Sequence, residues 1–289
     1  MSKAACLAPA LLLVTTGACS SPRHKALDPG LARIQDCAAR SAIPQDHIVV
    51  YFEESKLSNP GLATDLVGAL LMLGARKIDD NLNRDRRARA ETAATALIAE
   101  TRDFDFRREF WSALQSGFAR SPWLKVRSFE SAVKAETPSG VDLGNRSYLT
   151  LHTSYRLSID HRTLVLSTHA KLFVPGNREP AYFGDFTYYS GPASAPEGSA
   201  IVATWVKDRA AAYREALKDG IRATVQMLEI DVLGPRSPGD APRGEEVGFS
   251  QDDVDGGTIA VRGPVLATQG NRVIVRLRDG NLVSVTRKR

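Results

Sequence analysis

The sequence predicts an α+β fold: an antiparallel sheet of about four to five strands packed by long helices, plus a small C-terminal all-β module. Three observations predict it. Leu149–Ile159 and Thr163–Val174 alternate apolar and polar residues with the period of half-buried strands. Two stretches, 60–120 and 200–228, carry apolar residues at helical spacing. The segment from Thr258 onward is β-branched and punctuated by an Arg278-Asp279-Gly280 turn. With 43% hydrophobic and 25% charged residues over 289 positions, the composition excludes collagen-like and wholly disordered chains.

The first element is an export signal over residues 1–18. One lysine, an apolar run from Ala4 to Val14 and small residues at Thr16-Gly17-Ala18 have the order of a secretory signal peptide. Thr16-Gly17-Ala18-Cys19 also resembles the lipobox of bacterial lipoproteins, with Thr16 where that family usually has Leu. The resemblance implies a lipidated Cys19 and, from Ser20 and Ser21, sorting to the periplasmic face of the outer membrane. Cys6 leaves with the signal. Cys37 is then a lone thiol if Cys19 is acylated, or its disulfide partner if it is not.

Residues 19–45 read as a tether ending in a short helix near Leu31–Arg40 that holds Cys37. An α+β domain follows over 46–234. His47–Phe52 is a strand, and Asn59-Pro60 opens a long helical region reaching Arg120. Within it Leu66–Ala75 lacks charge and is too short to span a bilayer, so it is core or a membrane or partner surface. Arg84–Arg89 reads as a solvated helix face. Pro122 stops the region before a strand at Trp123–Phe129.

The next two strands fix a parity. Apolar residues are odd-numbered on the first and even-numbered on the second, so paired numbers must sum to an odd value and the loop has two or four residues. A two-residue loop at His161-Arg162 pairs Leu157 with Leu166 and Leu151 with Leu172. Ala181–Tyr189 adds a strand, and a helix from Ala200 to Leu228 carries the stripe Val202, Trp205, Val206, Tyr213, Leu217, Ile221, Val225 and Leu228. Residues 235–256 read as a linker and 257–289 as a basic β-hairpin module. Gly280 takes the left-handed position, and Val275 pairs with Val283 and Val273 with Val285.

Asp103–Val126 resembles a passage of uncharacterised proteobacterial periplasmic lipoproteins. The element order is similar, in topology only, to the curli-secretion lipoprotein and the N-terminal domain of the Tol translocation protein. Neither resemblance supplies a catalytic residue.

No nucleotide, zincin, nucleophile-elbow or calcium-loop motif is present. The expectation is a non-catalytic protein without a cofactor, with Ser154 and His169 as weak catalytic candidates and His152 and His169 as weak metal candidates. A zinc site would need further ligands, and no carboxylate falls on these two strands. The seven basic residues Arg262, Arg272, Arg276, Arg278, Arg287, Lys288 and Arg289 concentrate the charge, since everything before residue 257 sums to −1 within a total of +5. Export argues against nucleic acid and for an anionic envelope polymer or an envelope protein. The function expected is that of a periplasmic lipid-anchored binding or assembly accessory protein. The alternatives are an exported hydrolase or metal-dependent enzyme, and an oligomeric secretion or pore-type component.

Overall fold

Alternation drives the centre of the sheet. On β4 (Ser147–Leu157) every odd residue from Leu149 to Leu157 is buried, and on β5 (Leu164–Phe173) the even residues Leu164, Leu166, Ala170 and Leu172 are buried. These sets fall on one face, as the parity requires. β6 (Tyr182–Tyr189) adds Tyr182, Phe186 and Tyr188 to the same face.

The computed structural model describes residues 24–50 apart from 29, 32, 46 and 47; 84–132 apart from 86, 87, 89, 90 and 93; 145–193 apart from 159; 199–233; and 246–287 apart from 255 and 256. Besides β4–β6 the strands are β1 (Ile34–Ala42), β2 (Val49–Val50), β3 (Leu124–Ala132), β7 (Glu246–Val254), β8 (Gly257–Gln269), β9 (Arg272–Arg276) and β10 (Leu282–Thr286). The helices are α1 (Phe106–Arg120) and α2 (Ser199–Leu228), the latter running into a π-helical turn, Glu229–Leu233. Among the described residues the strands form one ten-stranded mixed sheet, ordered β3-β1-β4-β5-β6-β10-β9-β8-β7, with β2 beside β4.

The fold is therefore α+β, but the sheet is about twice the expected size and is not all antiparallel. β1 lies parallel to both β3 and β4, and β10 lies parallel to β6. The helix expected over Leu31–Arg40 is strand β1. Its small, polar sequence has little strand preference of its own, and ladder bonds to two parallel neighbours override that weakness. The expected tether, 19–45, thus includes a strand inside the sheet, and its earlier part is fastened too: Lys25 exchanges backbone hydrogen bonds with Phe183 at 2.8 and 3.2 Å. The linker expected at 235–256 includes β7, which pairs with β8.

The C-terminal hairpin keeps the expected register, Val275 opposite Val283 and Val273 opposite Val285, with Gly280 at φ +90°. It continues the main sheet through β10–β6 pairing instead of standing apart as a module. A side chain at Gly280 would strike His24, so the turn needs glycine for space as well as for conformation. Gly263 admits the Arg276 carbonyl, and past that close approach Val261 joins Val273, Val275, Val283 and Val285 in a small second core.

Both helices cover the same face of the sheet. Asp105 caps α1, its carboxylate accepting from the Arg108 N–H at 3.0 Å, and Phe106, Phe110, Leu114 and Phe118 point inward. α1 packs on β3 and α2, while α2 lies over β5, β6 and β10. The long helical region expected over 60–120 is interrupted near its end. Residues 94–100 are helical, and the chain turns at Thr101 before Asp105 restarts it. The helix expected from Ala200 to Leu228 is also broken, because Asp208, Arg209 and Ala210 all have left-handed φ near +55°. Leu66–Ala75 and the end of the His47–Phe52 strand lie outside the described residues, as does most of Arg84–Arg89, of which Arg84, Asp85 and Ala88 are helical and exposed. Among the described residues no helix is long and apolar enough to cross a membrane.

Candidate functional site

The sheet face away from the helices carries the candidates. The strands meet in a four-residue loop between Ser158 and Thr163, whose backbones bond at 2.8 Å. The pairing sum is 321, so Leu157 faces Leu164 and Leu151 faces Ala170, one step from the two-residue alternative. The loop is longer because Asp160 takes the Ser158 hydroxyl and the Arg162 N–H, and His161 adopts φ +62°.

That step changes the site. In the two-residue register His152 would face Lys171 and Ser154 would face His169; instead His152 sits directly opposite His169, with ring centroids 6.2 Å apart and nearly parallel. Ser154 faces Ser167, and among the described residues it makes no hydrogen bond to His169. The third strand supplies what the first two lack. Asp185 on β6 pairs with His169, whose Nδ1 donates to Asp185 Oδ1 at 2.5 Å. A carboxylate does therefore orient this ring, contrary to the expectation from β4 and β5 alone. Its signal was present: Asp185 shares its parity with Phe183 and Thr187, the half-exposed face of an alternating strand.

Two rows cross the strands on this open face. One reads Ala42, His152, His169, Asp185; the next reads Arg40, Thr150, Lys171, Phe183. Together they line a cleft of about 270 Å³. The Asp185 hydrogen bond holds the His169 imidazole above its ordinary pKa, against partial burial and the Lys171 charge. Burial, and then the His169 charge, hold His152 below its ordinary value. The two shifts run in opposite directions, so His169 holds its proton to higher pH than His152 does.

Arg40 and Lys171 are the cations of the cleft, and the sequence reading singled out neither. Glu130 is opposite Arg40 in register, yet among the described residues no ion pair joins them. Among the described residues Arg40 Nε is buried without a hydrogen-bond partner. Among the described residues Thr150 Oγ1 reaches only the Lys171 carbonyl, at 3.5 Å.

A Ser–His hydrolase needs a nucleophile bonded to its base and a set of oxyanion donors, and Ser154 is one row away from His169. Among the described residues no three His, Cys, Asp or Glu side chains group as metal ligands. His152 and His169 meet one carboxylate, and Lys171 opposes a cation there.

A second polar cluster lies under the sheet end. Asp231, on the π turn, is 6% exposed at its side chain. It accepts from His24 Nε2 at 3.2 Å and Tyr182 OH at 2.6 Å, and pairs with the Arg276 guanidinium at 2.7 Å. Burial would raise this carboxyl, but the His24, Arg276 and Tyr182 contacts together outweigh it and hold it below the usual range.

The expected basic patch divides accordingly. Arg276 neutralises Asp231. Arg272 lies 4.3 Å over the Tyr188 ring and donates to the Tyr189 carbonyl. Arg262, Arg278 and Arg287 are exposed, while Lys288 and Arg289 lie outside the described residues, as does Cys19. Cys37 is a buried free thiol, pushed up to about 12 chiefly by burial.

No family model matches the chain, and no curated protein matches it. Among solved structures, the crystal structure of protein XCC0632 from Xanthomonas campestris, of family DUF330, matches at 9% identity. The match covers 71% of this chain and 93% of that one with a TM-score of 0.24, a likeness too slight to carry fold or function across.

Proposed function

We propose that this chain is a non-catalytic, lipid-anchored binding or assembly accessory protein of the bacterial envelope, held at the periplasmic face of the outer membrane through Cys19. The observation that carries the binding half is that, among the described residues, helices cover only one side of the sheet. Both helices bury one face, and the middle of the other presents a cleft lined by Arg40, His152, His169 and Lys171. The partner is an envelope protein or an anionic envelope polymer, which suits the cations of the cleft. The anchoring half rests on the lipobox-like Thr16–Cys19. His24 is docked on Asp231 five residues after Cys19, so the anchor would hold this end of the body within about 18 Å of the membrane surface.

Two measurements test the reading. Intact mass of the protein taken from membranes is expected to show acyl chains that vanish in Cys19→Ser; an unmodified mass would remove the anchor. A photoreactive residue at Ser154 on the open face is expected to cross-link an envelope partner in cells, and one at Lys218 on α2 is not. Cross-links from the helix face alone would overturn the assignment of the binding surface.

A further inference from the structure

We propose that the cleft between Arg40 and Lys171 is a phosphate-binding site, the oxyanion lying over Thr150 with the His152 and His169 rings beside it. This rests on the reading of the open face as a binding surface and names the chemistry that it takes.

The geometry comes from the register. Arg40, Thr150 and Lys171 are consecutive cross-strand neighbours on β1, β4 and β5. Neighbouring strands are about 4.8 Å apart, so the two cationic stems rise roughly 10 Å from one another with the threonine hydroxyl between them. Both stems are long enough to bend over that hydroxyl and meet one bound group.

The charges are available. Asp185 is engaged by His169, and Glu130 leaves Arg40 without an ion pair among the described residues. Arg40 Nε is a buried donor with no acceptor among the described residues, a state that is unfavourable unless a ligand supplies one. Two cations, a hydroxyl and an imidazole offer more donors than one carboxylate can use. A phosphate accepts on several oxygens and carries the charge to match. Phe183, Ala42, Leu151 and Ala170 make the rest of the lining apolar, so the phosphate could be free or the headgroup of a lipid.

The test uses the full mature chain with Cys19→Ser at constant ionic strength. It is titrated with inorganic phosphate or with a short-chain phosphatidylglycerol below its micelle concentration. The readout is the ring-proton NMR signals of His152 and His169. Saturable movement of both rings is expected. Lys171→Gln, a change at an exposed side chain, is expected to weaken binding about tenfold, the loss of one charge-assisted hydrogen bond. Arg40→Gln acts in the same direction, and Lys218→Gln on the helix face leaves binding unchanged. Phosphatidylglycerol binding at least tenfold tighter than phosphate would assign the site to a headgroup; equal binding would assign it to free phosphate. No saturable shift with either probe, or a Lys171→Gln protein that binds as well as wild type, would overturn the proposal. The Ser154 cross-links separate the two readings: if they persist without phosphate binding, the binding surface stands and the phosphate assignment falls.

Discussion

Asp231 is a charge in a place where a lone carboxylate would be strongly disfavoured, and three partners from distant parts of the chain make it tolerable. His24 precedes the sheet, Tyr182 opens β6 and Arg276 closes β9. Removing the carboxylate charge strands Arg276. Asp231→Asn is therefore expected to destabilise the protein by about 2–4 kcal/mol in urea unfolding at neutral pH. The pH dependence has a definite sign. The folded carboxyl sits below its unfolded value of about 3.9, so its contribution is fully present above that value. It is lost as pH falls through the lower, folded pKa. Between neutrality and pH 3 the wild type is expected to lose more stability than the variant; equal losses would show that folding does not lower the Asp231 pKa. Nothing in the sequence singles out this aspartate, because its partners lie 49, 207 and 45 positions away. Asp185 is different: its strand and its face were legible, and only the register against β5 was missing.

At the scale of elements, α2 shows how a helical stripe can hide a break. Trp205 and Tyr213 both belong to the stripe and both are buried, with rings 6.1 Å apart and edge to face. Between them Asp208, Arg209 and Ala210 take left-handed conformations that L residues adopt at a penalty of about 1–2 kcal/mol each. Surrounding contacts enforce the break. Trp205 Nε1 donates to the His161 carbonyl at 2.6 Å, and Arg214 bonds the Arg209 carbonyl at 3.0 Å, the Glu100 carbonyl at 2.5 Å, and Asp103. Arg209→Gly relieves one left-handed residue and adds chain entropy to the unfolded state, for a net stabilisation of up to about 1 kcal/mol. A melting temperature that falls would mean the Arg209 side chain contributes more than the backbone strain removes. The hairpin at Gly280 is the opposite case. Its turn residues and paired valines are local signals, and the register followed from them.

At the scale of the molecule the C-terminal strands are part of the body. β10 pairs with β6, Leu282 and Ile274 belong to the main core, and Arg276 partners Asp231. A chain ending at residue 256 is therefore expected to lose cooperative unfolding and to expose apolar surface to a hydrophobic dye. A truncated chain that unfolds in one sharp transition would show that 257–289 is an independent module after all.

What the sequence by itself determined is what depends on neighbours along the chain. This includes the α+β class, the existence of β4, β5, β6 and the C-terminal hairpin, the parity that puts their apolar residues on one face, and the Pro122 limit of α1. What only the tertiary structure decided is what depends on strands meeting across long separations. β1 is a strand because β3 and β4 hold it on either side, although its own residues do not alternate strongly. The cleft combines Arg40, Thr150, Lys171 and Asp185 because four strands align in one register. A period of two reports which face a side chain takes; it carries no information about which strand lies alongside, and the candidate site is made of that second kind of information.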